Sequence, residues 1–224
     1  MARELDDSDD AVVVPTNPVA DPAPLGLAGF AMTTVLLSAF NAGLINSGKV
    51  AAGSLIFVGM ALFYGGLGQF MAGMWEFKNR NTFGATAFSS FGSFWMGVGI
   101  LFVFDVVGRP LVAFWAGDGV IWFFFFWAIF TTYMFVASMR VSGAVMAVFL
   151  LLALTFFALW IGALNGDAPK HGFTQIAGYL GILTAIVAFY TSFAGVTNST
   201  FGRVVAPVYP MNRPLVKASG PRRG

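Results

Sequence analysis

The chain has 224 residues, 58% of them hydrophobic and only 10% charged, and its mean hydropathy is +0.79. Soluble domains run about 25% charged, so the composition argues against a soluble globular domain. There is no cysteine and one histidine, His171, which removes disulfides, thiol chemistry and the usual zinc and haem ligand sets.

Ten charged residues lie between Asp21 and Arg203, in five clusters: Lys49; Glu76, Lys78 and Arg80; Asp105, Arg109 and Asp118; Arg140; Asp167 and Lys170. They leave six uncharged stretches, 22–48, 50–75, 81–104, 119–139, 141–166 and 171–202. Each exceeds the roughly 20 residues that a helix needs to cross about 30 Å of hydrocarbon. Runs of this length suit helices rather than the ~10-residue alternating strands of a barrel. The expected fold is an all-α membrane protein, a bundle of six transmembrane helices spanning 21–203.

In chain order, residues 1–20 form an acidic tail with Asp6, Asp7, Asp9 and Asp10, and the composition predicts disorder there. This leader lacks the basic start and short apolar core of a cleavable signal peptide, so it is expected to be retained. Pro22 and Pro24 then hold the chain extended, and Pro24 suits the first turn of a helix. The spans are expected at about 25–45, 51–75, 82–104, 119–139, 143–164 and 173–195, followed by a basic tail at 204–224. The fourth carries the run Trp122-Phe123-Phe124-Phe125-Phe126-Trp127. No repeat relates the two halves.

With the N-terminus in the cytoplasm, nine Lys and Arg residues fall inside (Arg3, Lys78, Arg80, Arg140, Arg203, Arg213, Lys217, Arg222 and Arg223) and three outside (Lys49, Arg109 and Lys170). The positive-inside bias therefore puts both termini in the cytoplasm of a multi-pass protein of the cell membrane. A pI near 9.1 would hint at nucleic acid in a soluble chain, but these charges flank membrane helices. Anionic lipid headgroups account for them, and no nucleic-acid partner is expected.

Within the spans, periodicity is more informative than hydropathy. Thr86, Ser89, Ser90, Ser93 and Gly97 form one small, hydroxylated stripe at helical spacing. A second comprises Ala61, Gly65, Gly68, Gln69, Ala72, Gly73 and Glu76, and a third Val187, Tyr190, Thr191, Ala194, Thr197 and Asn198. Helix packing explains small residues. It explains Asn41, Gln69 and Tyr190 less well, because amides and phenols at membrane depth need partners, and a narrow polar path would supply them. No ionisable group lies deep in a span, which excludes a pump built on buried carboxylates. Glu76 ends its stripe, either as an interfacial charge beside Lys78 and Arg80 or at the mouth of a path. No nucleophile with a base, paired carboxylates or metal cluster has a plausible spacing, so no enzyme and no cofactor are expected.

Asp21-Pro22-Ala23-Pro24-Leu25-Gly26-Leu27, with Gly29-Phe30 and Met32-Thr33-Thr34, resembles the Asn-Pro-Ala-Pro-Leu-Gly-Leu signature of the acetate uptake transporters, the succinate–acetate permeases of bacteria and their yeast relatives. The resemblance continues through Phe63-Tyr64-Gly65-Gly66, Gln69, Ala72-Gly73, Asn81-Thr82-Phe83-Gly84, Thr86-Ala87-Phe88, Gly92-Ser93-Phe94-Trp95 and Phe201-Gly202-Arg203. It implies a homohexamer whose protomers each enclose a path for acetate, other small monocarboxylates or succinate. Phe30, Phe91 and Leu152 match the hydrophobic constriction of that family; on composition alone they would be core residues. Two departures stand out. Asp21 replaces the Asn of the signature, and Phe91 stands where the family often has Tyr.

The resulting expectation is a passive or proton-coupled transporter or channel for acetate-like monocarboxylates. Its path and binding residues are Asp21, Pro22, Pro24, Leu25, Gly26, Leu27, Thr34, Asn41, Tyr64, Gln69, Glu76, Thr86, Ser90, Ala188, Tyr190 and Asn198, with the constriction at Phe30, Phe91 and Leu152. The alternative is a channel for small neutral solutes such as urea or short amides; a third reading makes the stripes pure packing. The charge distribution predicts that cysteines placed at Asp118 and Ser219 label from opposite faces of an intact membrane, Ser219 from the cytoplasm. Labelling of both from outside would contradict this topology.

Overall fold

A computed structural model describes residues 19–45, 56–106 and 117–211. Residues 1–18 of the expected tail 1–20, residues 212–224 of the expected tail 204–224, the start of the second span and the basic positions Lys49 and Arg109 lie outside the described residues. Six helices are long and apolar enough to span a membrane: α1 Ala23–Ala42, α2 Ile56–Lys78, α3 Thr82–Val106, α4 Asp118–Ser138, α5 Gly143–Asn165 and α6 Gly172–Phe201.

The helix ends follow local chemistry. Asp21 Oδ1 accepts from the Ala23 N–H at 2.9 Å, an Asx turn that leads into the Pro24-bearing first turn. α1 stops at Gly43, whose φ of +82° is a left-handed cap, three residues before the end expected from hydropathy. Asn81 caps α3 by accepting from Gly84 N–H at 3.1 Å, and Ser142 caps α5 by accepting from Val145 N–H at 3.2 Å.

Two features depart from the expected spans. Met60–Gly68 in α2 is wound as a π-helix, a form whose wider turn no periodicity argument anticipates. α6 runs six residues past its expected end at Gly195. That glycine is there for close approach: a Cβ on it would sit 2.7 Å from Pro24 Cγ. The helix ends instead at Gly202, with φ +63°.

The helices form a ring in chain order, closed by α1 against α6, and the seam between α3 and α4 is the sparsest. Small residues set the closest approaches. Gly65 faces Thr33, Gly29 faces the Tyr64 carbonyl, Gly73 faces Ser89, Gly178 faces Ala42 and Gly181 faces Ser38. Gly65 and Gly73 of the α2 stripe are thus helix-packing residues, as their size suggests, whereas Gly68 meets only its own helix.

A methyl group at Gly178 would lie 2.8 Å from Ala42 Cα and Asn41 C, backbone atoms that cannot swing aside. Gly178→Ala should cost about 1–3 kcal/mol and lower the thermal unfolding midpoint in detergent. Gly119→Ala, which meets nothing within 4 Å, should leave it unchanged; equal midpoints for the two variants would contradict the packing account.

Candidate functional site: an aromatic constriction inside the bundle

Leu27, Phe30 and Thr34 share one face of α1 at i, i+3 and i+7, and all three are buried. α1 and α3 run alongside one another in parallel register. The Phe88 ring packs on Gly26, and the Phe30 and Phe91 rings meet edge to face at 5.8 Å. Phe91 is 2% exposed and occupies the middle of an aromatic cluster. Its ring lies 5.4 Å from Trp127 and 5.5 Å from Phe130 on α4, and 6.1 Å from Phe149 and 6.4 Å from Phe156 on α5. Leu152 and Ala188 belong to the same buried cluster. Side chains from α1, α3, α4 and α5 therefore meet around Phe91, and Ala188 adds α6 to the same buried cluster.

Elsewhere among the described residues, several buried polar atoms lack partners. Thr34 Oγ1, Gln69 Oε1, Glu76 Oε1, Ser89 Oγ and Trp95 Nε1 have no hydrogen-bond partner among the described residues. Gln69, Ala72 and Glu76 share the buried face of α2. Glu76 is 1% exposed, so it differs from an ordinary interfacial charge such as the exposed Lys78 and Arg80. Its Oε2 accepts from Asn81 Nδ2 at 3.0 Å, its carboxyl group packs on Gly84, and Asp21 lies near enough for the two charges to interact. Helix α2 thus delivers a carboxylate to the end of the bundle where α1 and α3 begin.

The other sequence-nominated residues divide. Pro24 packs on Gly195 and its carbonyl accepts from Ser192 Oγ at 2.7 Å; Pro22 is buried and Leu25 is exposed. The Asn41 carbonyl accepts from Lys170 N–H at 2.9 Å, while Tyr64 and Thr86 are half-buried. Ser90 lines a groove of about 470 Å³ with Phe70, Ser89, Ser93, Phe94, Gly97, Phe123 and Trp127, on the α3–α4 seam. Tyr190 and Asn198 lie away from the Phe91 cluster. The Tyr190 hydroxyl donates to Pro207 O at 2.7 Å. Asn198 Oδ1 accepts from Val205 N–H and Ala206 N–H at 2.7 and 2.9 Å, and its Nδ2 donates to Ala206 O at 2.8 Å. Their polar atoms hold the segment after α6, which also pairs with α5 through Gly143 N–H to Tyr209 O. Sequence reasoning had no view of that segment as a partner. It likewise passed over Trp95, Trp127, Phe130, Phe149 and Phe156, since aromatic residues in an apolar span look alike until the helices are placed.

A six-helix membrane bundle with a buried aromatic cluster and buried polar groups without partners among the described residues is compatible with a channel or transporter for small solutes. The chain belongs to the GPR1/FUN34/yaaH family, whose model matches residues 7–213. It is 38% identical over 193 residues to the succinate-acetate/proton symporter SatP of Escherichia coli K12, covering 85% of this chain and 95% of the relative. It is 39% identical over 192 residues to ammonia transport outward protein 2 of Saccharomyces cerevisiae, covering 82% of this chain and 64% of the relative. A solved structure of the bacterial acetate channel SatP superimposes with a TM-score of 0.73 at 35% identity, over 85% of this chain and 99% of that one. These relatives are transporters and channels, which points away from an enzyme.

Asn198→Ala removes three hydrogen bonds to the segment after α6. The expected outcome is faster tryptic cleavage after Arg203 with the spans intact; cleavage at the parental rate would show that the segment is held by other contacts.

Proposed function

We propose that each protomer carries acetate and other small monocarboxylates, with succinate as a further substrate, across the cell membrane through a path between its own helices. The observation that carries this reading is the buried Phe91 cluster in a bundle that also holds buried polar groups without partners among the described residues. Phe30, Phe91 and Leu152 form the constriction of that path. Both termini face the cytoplasm, and the protomers assemble as a homohexamer.

A carboxylic acid with a pKa near 4.3 is neutral in only about one molecule in 500 at pH 7, so the species offered to the path is the anion. A charge at the membrane centre costs at least ~2.5–3.5 kcal/mol. An apolar level one or two side chains thick keeps that cost local. A proton that accompanies the substrate has two carriers available, the substrate carboxylate itself and Glu76.

A second reading, a channel for small neutral solutes, draws on the absence of ionisable groups in the middle of the spans and on the yeast relative named for ammonia. Uptake of labelled acetate, urea and methylammonium into liposomes containing the purified protein separates the two. The acetate reading predicts saturable acetate flux above protein-free liposomes, whereas flux of the neutral solutes without acetate would overturn it.

Leu152→Ala should widen the constriction by several methylenes' volume. The lactate-to-acetate flux ratio should rise several-fold while acetate flux persists. An unchanged ratio in folded Leu152→Ala and Phe30→Ala proteins would return these residues to the core.

A further inference from the structure

The segment after α6 is fastened through its backbone and open through its side chains. Asn198 and Tyr190 hold positions 205–207. The Val208 and Tyr209 carbonyls accept from Ala144 and Gly143 N–H at the start of α5, and Met211 N–H donates to the Val141 carbonyl at 3.1 Å. Of residues 202–211 only Ala206 is buried. Val204 is 76% exposed, Tyr209 69%, Val205 46% and Met211 38%, and Phe201 at the end of α6 is 63% exposed. Apolar side chains that a tied-down backbone leaves uncovered form a ready contact surface.

The chemistry of that surface names its partner. Tyr209 has φ +54°, in the left-handed region that favours glycine and asparagine, and its tie to α5 runs through its carbonyl. Glycine would serve that backbone at lower cost, so what tyrosine adds there is an exposed ring with a polar tip. Such rings concentrate at the membrane–water boundary, where both ends are satisfied. Charge selects the kind of membrane. At the end of the bundle where α6 stops and α5 begins, Lys78, Arg80, Arg140 and Arg203 are exposed against one exposed carboxylate among the described residues, Asp21. Glu76 is buried there, and no Asp or Glu follows Asp167 in the sequence.

We propose that segment 201–211 docks on an anionic lipid surface. Val204, Val205, Tyr209 and Met211 enter the boundary between headgroups and acyl chains, and Arg140 and Arg203 bind the headgroup phosphates. A second copy meeting this face with its own would bring the same cations to the contact and repel, which favours lipid as the occupant. The segment joins α5 to α6, so the docked surface holds the ends of both helices. The inference goes beyond the transport reading and does not depend on which solute the bundle carries.

The test uses the full-length protein in nanodiscs of phosphatidylcholine, alone or in equal parts with phosphatidylglycerol. The chain has no cysteine, so Val204→Cys carries a single environment-sensitive fluorophore. In the mixed membrane a nitroxide on the upper acyl chain should quench it, and aqueous iodide should quench it about fivefold less than in phosphatidylcholine alone. Fivefold is the factor for ~1 kcal/mol, the contribution of one basic residue at an anionic surface. Arg140→Gln together with Arg203→Gln should erase the difference between the two membranes. Tyr209→Gly, which suits the left-handed backbone, should weaken nitroxide quenching while tryptic cleavage after Arg203 in detergent stays at the parental rate. Equal iodide quenching in the two membranes would overturn the proposal. So would shielding from iodide and nitroxide together, the signature of a second copy over the face.

Discussion

The convergence of aromatic rings on Phe91 is the constraint around which the rest of the bundle is arranged. Each ring pair contributes about 0.5–1.5 kcal/mol beyond area burial, and Phe91 makes five such pairs, to Phe30, Trp127, Phe130, Phe149 and Phe156. α4 meets α3 only sparsely. Ring contacts from Phe91 and Phe94 to Trp127, and from Phe94 to Phe123, join the two helices across that seam. The same cluster that closes the interior therefore also ties the loosest wall of the ring to the others.

Aromatic bulk at the centre requires compactness at the walls. Glycine and hydroxyl residues supply it where α1 meets α2 and α6: Gly29 on Tyr64, Gly65 on Thr33, Gly178 on Ala42 and Gly195 on Pro24. In lipid, where apolar surface gives helices no reason to associate, such close approach is the main source of cohesion. It also fixes the register of α1 against α2 and α6. Segment 202–211 adds a brace at the end of the bundle, joined to α6 through Asn198 and Tyr190 and to α5 through Gly143 and Ala144.

The six spans were legible because charge is nearly absent from them, and a helix in lipid has no cheap place for charge. Helix ends were less so, since they depend on caps such as Gly43 and Gly202 and on whether a glycine, as at 195, ends a helix or admits a neighbour. On α2 the stripe combines packing glycines at 65 and 73 with buried Gln69 and Glu76, and the burial of Glu76 was not legible, since a charge two residues from a helix end reads equally well as interfacial. The stripe on α6 misled in part. Tyr190 and Asn198 carry the side chains a path would use, but their partners lie in a segment that periodicity within one helix cannot reveal. Phe30, Phe91 and Leu152 stood out through family resemblance alone, because an apolar side chain in an apolar span gives no signal of its own. Trp95 was hidden for the same reason, and only its unpartnered indole distinguishes it once the helices are placed.

The central claim is that the Phe30–Phe91 level divides a path inside one protomer into an outer and an inner half. Leu27 and Thr34 lie two turns apart on the same face of α1, roughly 10 Å along its axis, with Phe30 between them. The protein contains no cysteine, so Leu27→Cys and Thr34→Cys give clean single-site probes in intact cells. The most direct measurement is their labelling by small charged thiol reagents added from each side. The account predicts that Thr34→Cys reacts from outside and Leu27→Cys from the cytoplasm; reaction of both from the same side, with Phe30 and Phe91 unchanged, would contradict it.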